Sequence, residues 1–313
     1  MLALSASPDP PHVELMEVAE PEPDSGQALV AVRAFSLNRG EANRLPQRDP
    51  GFVPGWDVAG VVAREAADGS GPAEGARVVG LVGSGAWAER VAVPTRELAE
   101  LRQEVGFAAA STLPVAGLTA LRALAVGGPS LGRRVLVTGA AGGVGRMAVQ
   151  LAARAGAHVT AVASGEQRAR GLGELGAHEV VHAFDADGPA FDVILESVGG
   201  ASLAAALQRV APDGTIVSFG DSSREPVEFA ASDFYGRGTG ARLYAFLIFR
   251  ELEREASGSR DLAMLARLVA AGELDPQIAL DASWRDPGPA LEALLQRRVR
   301  GKAVLHVDPE GLP

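Results

Sequence analysis

Residues 135–164 read VLVTGAAGGVGRMAVQLAARAGAHVTAVAS, and this stretch limits the possible folds more than any other. Val135–Thr138 is a short apolar β-branched run, and Ala140-x-Gly142-x-x-Gly145 follows at once. Helix-forming residues then occupy Met147–Ala155, Gly156 closes them off, and His158–Ala163 is a second strand-like run. The order strand, glycine turn, helix, strand is a βαβ unit. In such a unit small residues let the backbone approach a pyrophosphate, and the helix N-terminus supplies free N–H groups and positive potential. Ala140 stands at the first glycine position, and Gly142, Gly143, Val144 and Gly145 are expected to cradle the phosphates. Isolated, the pattern is weak; its strand–helix setting gives it force.

The end of the second strand selects the nucleotide. A site for NAD usually carries Asp or Glu about 20 residues after the glycines, to bind the ribose 2′-OH. Here the chain reads Ala163-Ser164-Gly165, followed by Glu166, Arg168 and Arg170. A hydroxyl residue backed by arginine suits a 2′-phosphate, which a guanidinium grips through paired N–H donors. NADP(H) is therefore expected over NAD(H), with Ser164 and Arg168 meeting the extra phosphate. The arginines also fit an ordinary solvated helix surface, and Glu166 suits that reading.

Bulk properties exclude several function classes. At 313 residues the chain has room for one or two domains with buried cores. Its hydrophobic fraction of 47% and charged fraction of 22% are those of a soluble globular protein. A net charge of −10 opposes general affinity for nucleic acid or anionic membrane. The lack of cysteine excludes disulfides, thiol catalysis and every cysteine-containing zinc site. No basic segment leads into an apolar core at the N-terminus, and no apolar run approaches the roughly 20 residues of a membrane span. A cytoplasmic location is the default expectation.

Along the chain, strands are expected at Val13–Glu17, Ala28–Phe35, Val58–Ala63, Arg77–Val82 and Ala88–Val93, separated by Pro, Gly and Asp turns. That spacing suits a partly barrel-like antiparallel domain. Residues 105–126 read as alanine-rich helix, broken by Pro114 and restarting at Gly117. Strand and helix then alternate, as a doubly wound parallel sheet requires. The expected elements are a helix over 166–175, strands at Glu179–His182 and Phe191–Glu196, a helix at Ala201–Val210, and strands at Thr215–Phe219 and Arg242–Phe249. Amphipathic helices at 261–271 and 287–298 and a strand at Ala303–Val307 complete the tail, whose last strand could rejoin the N-terminal sheet.

Several runs together resemble the medium-chain dehydrogenase/reductase superfamily, in its zinc-independent quinone oxidoreductase and enoyl reductase branch. They are Ser36-Leu37-Asn38-Arg39-Gly40-Glu41, Pro54-Gly55-Trp56-Asp57-Val58-Ala59-Gly60, Gly85-Ala86-Trp87-Ala88-Glu89, Leu113-Pro114-Val115-Ala116-Gly117-Leu118-Thr119, the Ala140–Gly145 turn, Phe191–Glu196 and Gly301-Lys302-Ala303-Val304-Leu305. The resemblance implies an α/β fold, in which a Rossmann NADP(H)-binding domain (112–250) is inserted into a GroES-like, β-rich catalytic domain (1–111 and 251–313). Where zinc-dependent relatives carry catalytic ligands this chain has Asn38, Trp56 and Val115, which cannot form a tetrahedral N/S site. The histidines at 12, 158, 178, 182 and 306 lack the short spacing of a ligand pair. No metal is expected.

By the same resemblance Asn38 lies beside the nicotinamide and the substrate carbonyl, and Thr119 near the nicotinamide ring. Gly220 joins the cofactor-binding set, and Lys302 and Arg297 resemble tail residues that reach back to the cofactor. A tyrosine frequent near the adenosine end in relatives is Ala183 here. The implied reaction is hydride transfer from NADPH to a quinone or an α,β-unsaturated carbonyl. The Asn38 amide N–H is the expected donor to the developing enolate oxygen. Tyr244 is a second catalytic candidate, although its apolar surroundings fit packing or a subunit contact. Phe52 and Trp56 would wall the substrate pocket, and Asp57 would pair with Arg39 or Arg44. The apolar 242–249 run suits a sheet edge that pairs with a second copy, giving a homodimer. A family member with little catalysis, or a metal-free alcohol dehydrogenase, are the competing functions.

Overall fold

A computed structural model describes residues 1–256 and 258–307. Its contacts divide the chain into two units, Met1–Leu118 with the chain from Leu252 onward, and Thr119–Glu251.

The first unit opens with an antiparallel pair, β1 (Leu2–Ala6) and β2 (Val13–Glu17). Its larger sheet centres on β3 (Gln27–Leu37), whose length lets it serve several partners. The order is β14 (Ile278–Ser283), β15 (Lys302–His306), β3, β4 (Asp57–Arg64), β5 (Arg77–Leu81) and β7 (Leu98–Glu100), with β6 (Arg90–Pro94) also on β3. The tail strand β15 does rejoin the N-terminal sheet, antiparallel to β3, with Ala303 opposite Leu37 and His306 opposite Ala34. Inward residues of these strands form one apolar core. Phe35 and Trp87, both fully buried, stack at its centre with ring centroids 5.7 Å apart.

Short helices edge this sheet: α1 (Arg39–Ala42) and α2 (Phe107–Ser111) early in the chain, α9 (Gly258–Ala270) and α10 (Gly288–Leu295) in the tail. The break expected at Pro114 takes the form of a π-helical turn, Leu113–Gly117, because proline has no N–H to continue the α-helical ladder. From it α3 (Leu118–Gly127) runs into the second unit.

The second unit is a parallel sheet. Its elements in chain order are β8 (Arg134–Val137), α4 (Gly143–Arg154), β9 (His158–Val162), α5 (Glu166–Ala169), β10 (Glu179–Val181), β11 (Phe191–Glu196), α6 (Gly200–Arg209), β12 (Val210–Ser218), α7 (Ala231–Arg237), β13 (Arg242–Ala245) and α8 (Ile248–Arg254). The strand order is β10-β9-β8-β11-β12-β13, every neighbour parallel. The chain winds one way from β8 to β10, then returns and winds the other way from β11, so the order reverses between β8 and β11. That is the doubly wound Rossmann arrangement, beside a GroES-like unit.

Two expected elements need correction. The helix expected over 166–175 stops at Ala169: Arg170 turns extended and Gly171 follows at φ 83°, a conformation that ends helices. The strand expected over 242–249 ends at Ala245. Beyond it, Ile248 and Leu252 share the i, i+4 spacing of a helix face and are both buried, so the chain turns helical there. Because Trp87 fills the core of the first unit against Phe35, Trp87→Ala is expected to lower stability by about 3–5 kcal/mol, measured by urea unfolding followed by circular dichroism.

Candidate active site

The glycine turn occupies the carboxyl end of β8, next to the reversal of strand order, where open α/β sheets bind ligands. Gly142 caps α4, and the first helical residues Gly143, Val144 and Gly145 bring N–H groups that have no intrahelical acceptor. A Cβ on Gly145 would lie 2.6 Å from both the Ala140 Cα and the Gly139 carbonyl oxygen, so only glycine lets the helix approach so closely. Ala140 is itself buried, its N–H bonded to the Val162 carbonyl at 3.0 Å. These residues fit the pyrophosphate of a dinucleotide. Buried Glu196, at the end of β11, firms the neighbouring loop by accepting from the Val198 and Gly199 N–H groups and the Thr138 and Ser202 hydroxyls. Its pKa is raised, chiefly by burial. Gly220 follows β12, its Cα so near Ser197 that a Cβ would meet that residue's carbonyl at 2.9 Å.

Ser164 is exposed just after β9, and Arg168 lies half-buried in α5. The buried Arg146 of α4 donates to the Arg170 carbonyl at 2.6 Å and ties this segment to the helix of the glycine turn. Thr119 sits buried in the first turn of α3. Tyr244 lies on β13, at the sheet edge, with β11 and β12 between it and β8. Its hydroxyl donates to Glu251 at 2.7 Å. The fold does not bring it to the glycine turn.

The first unit holds a buried polar cluster. Asp57, fully buried at the start of β4, accepts from the Ser36 hydroxyl (2.5 Å), the Asn38 Nδ2 (2.8 Å), the Lys302 Nζ (3.2 Å) and the Val115 N–H (2.8 Å). Arg39 and Arg44 are not its partners, contrary to expectation; a lysine 245 residues along the chain is. Lys302 is 3% exposed, and its ammonium donates also to the Asn38 Oδ1 (2.7 Å) and the Leu37 carbonyl (3.2 Å). Its three protons are thus engaged inside this unit. Arg297 is exposed at the end of α10, in a left-handed conformation at φ 59°.

Lys302 fixes which way the Asn38 amide faces, because only the oxygen can meet an ammonium. Both amide hydrogens then point at carboxylates, Asp57 and the Glu41 Oε2 at 3.0 Å. That corrects the expected role of Asn38: no amide hydrogen remains for a substrate oxygen, and the residue acts by holding its neighbours.

Glu41 is the residue that sequence reasoning passed over. It is 4% exposed. Oε2 accepts from the Asn38 N–H (2.9 Å) as well as from its amide, and Oε1 accepts from the Trp56 N–H (2.9 Å). The signal was present as Asn38-Arg39-Gly40-Glu41, the spacing in which a residue at the third helical position reaches back to the N-cap N–H. Burial and the nearby Asp57 raise the pKa of Glu41 to about 8, against the lowering effects of Asn38 and Lys302. Glu41, Phe52 and Trp56 line one hollow together with Leu45, Arg48 and Pro54. Arg48 lies 4.5 Å over the Phe52 ring and Arg44 5.6 Å over that of Trp56.

Residues 24–103 match the alcohol dehydrogenase GroES-like domain, and residues 143–254 match the zinc-binding dehydrogenase domain. The chain belongs to the medium-chain dehydrogenase/reductase superfamily. Within it this oxidoreductase falls on the quinone oxidoreductase-like branch. It is similar in structure to the quinone oxidoreductase of Coxiella burnetii, with 26% identity, a TM-score of 0.83 and 98% of each chain covered. A mycobacterial protein complexed with NADPH is similar at 25% identity and a TM-score of 0.87, over 98% of this chain and 100% of that one. Among curated relatives, the spectinabilin polyketide synthase system protein NorB of Streptomyces orinoci is 34% identical over 91% of this chain, which spans 13% of that protein. The chloroplast envelope quinone oxidoreductase homolog of Arabidopsis thaliana is 40% identical over 54% of this chain and 56% of its own length.

The raised pKa of Glu41 links this reductase's stability to pH. Between the unfolded value of 4.5 and the folded value of about 8 the native state holds a proton that the unfolded chain has lost. Stability from this group is therefore complete below pH 4.5 and declines as pH rises through about 8. The slope approaches about 1.4 kcal/mol per pH unit. Glu41→Gln is expected to remove that slope, whatever its effect at one pH, as read from urea unfolding across the range.

Proposed function

We propose that the chain is a zinc-independent, NADPH-dependent reductase that acts on a quinone or on an α,β-unsaturated carbonyl compound. The observation that carries this reading is the close-packed glycine turn at the reversal of strand order, which suits a dinucleotide. Ser164 and Arg168 favour a 2′-phosphate there. Similarity to the quinone oxidoreductase and to the NADPH-bound mycobacterial protein supports the same choice.

Bound at the turn, the cofactor supplies a hydride. The chain's part is to hold that cofactor, through the N–H groups of Gly143–Gly145 and the Gly220 backbone, and to present an electron-poor carbon in a dry pocket. Phe52 and Trp56 offer aromatic walls for a planar substrate. Zinc-free chemistry fits the donor set: Asn38 and the Trp56 and Val115 backbones turn N–H groups toward Glu41 and Asp57 instead of offering lone pairs to a metal. The GroES-like unit then carries the substrate side and the Rossmann unit the nucleotide.

The test is loss of nicotinamide absorbance when the protein is mixed with NADPH and a panel of quinones and enones. Turnover with NADPH well above that with NADH, insensitive to chelators, is expected; no turnover across the panel overturns the reading. Ser164→Asp places a carboxylate against the 2′-phosphate and is expected to raise the KM for NADPH by about 10- to 100-fold, with little change for NADH.

The partner proposed for this reductase is a second copy. β13 has β12 on one side and no further strand in the sheet order, with Leu243 and Leu247 exposed along that edge. Light scattering at micromolar concentration is expected to give twice the 32.2 kDa chain mass, and Leu243→Glu to return it to one chain.

A further inference from the structure

We propose that Glu41 is the proton donor that completes reduction of a substrate seated in the hollow beside it. The assignment rests on the reductase reading above and deepens it. Three features of geometry carry it. Glu41 lines the hollow that Phe52 and Trp56 wall. Its two oxygens are unequally used: Oε2 accepts two N–H bonds from Asn38, whereas Oε1 accepts only that of Trp56. Oε1 is therefore the oxygen with room for a proton. The same three N–H groups form a ready cradle for the carboxylate that remains once the proton has left.

The charged groups around Glu41 suit this cycle. Asp57 of β4 opposes its ionisation, and Lys302 of β15 limits that effect. Arg48 shares the hollow, and Arg44 lies across the Trp56 ring. On α10, which packs against α1, Glu292 is exposed and engaged by Gln296 and Arg298. The resulting pKa of about 8 keeps the acid loaded at neutral pH.

The step balances. Hydride arriving at the β-carbon of an enone moves the π pair onto the α-carbon and carbonyl oxygen. The Glu41 O–H bond breaks as a C–H bond forms at the α-carbon, and water then returns a proton to Glu41. For a quinone the new bond is O–H.

The experiment uses the whole chain with NADPH and the best enone of the panel. In wild type, kcat/KM is expected to fall above pH 8 as Glu41 loses its proton, with a normal solvent deuterium isotope effect. Glu41→Gln is expected to lower kcat by about 10²-fold, abolish the alkaline limb and leave NADPH binding by fluorescence intact, while Glu41→Asp restores part of the rate and the limb. Independently of turnover, infrared difference spectra of the protein without cofactor are expected to show a protonated carboxyl band that titrates near pH 8 and is missing from Glu41→Gln. A variant that melts like wild type yet keeps the alkaline limb, or a wild type without that band, overturns the assignment. Wild type that oxidises NADPH with no acceptor sinks the reductase reading itself, and the assignment with it.

Discussion

One ammonium and two carboxyl groups share the interior of the first unit, and the rest of that unit is arranged around making their burial tolerable. Removing a charge from water costs several kcal/mol unless a partner and hydrogen bonds replace the solvent. Asp57 receives four donors and Lys302 finds three acceptors. Glu41, the remaining acid, holds its proton at neutral pH and so leaves the cluster with one charge of each sign. The cluster also joins three strands that are remote in sequence, since Asp57 opens β4, Lys302 opens β15 and Asn38 follows β3.

The positions that resemble metal-ligand sites acquire a coherent second use here. Asn38, Trp56 and Val115 all direct N–H groups at the two acids, the last two through their backbones. Side-chain identity at Trp56 and Val115 is thereby released from the polar cluster, and Trp56 can serve the wall of the hollow. What a cation would organise from its centre is organised instead by carboxyl groups that accept from the surrounding backbone.

Much of this was legible in the sequence because period and punctuation agree. Val13–Glu17 and Phe191–Glu196 appear as read, and the glycine turn lies where strand and helix predict it. The failures have physical causes. Leu2–Ala6 and Ile278–Ser283 are strands made by partners, β2 and β15, rather than by strong β-branched runs. The run after Ala245 is apolar throughout, which hides a change of period from two residues to nearly four. Around the candidate site, the residue types were visible but their pairing was not. Nothing local in QRRVRGK or NRGEAN indicates that Lys302 meets Asn38 across 264 residues, or that this meeting uses up the asparagine's donors.

The wide separation of Lys302 from Asp57 bears on how the chain is made. While it emerges from the ribosome, Glu41 and Asp57 appear early and their cation close to last. The β8–β13 sheet is complete by then, because each of its strands lies between 134 and 245. Nascent chains should therefore carry a finished nucleotide-binding layer beside a β-rich part still open at its polar heart, and the arrival of one lysine closes it.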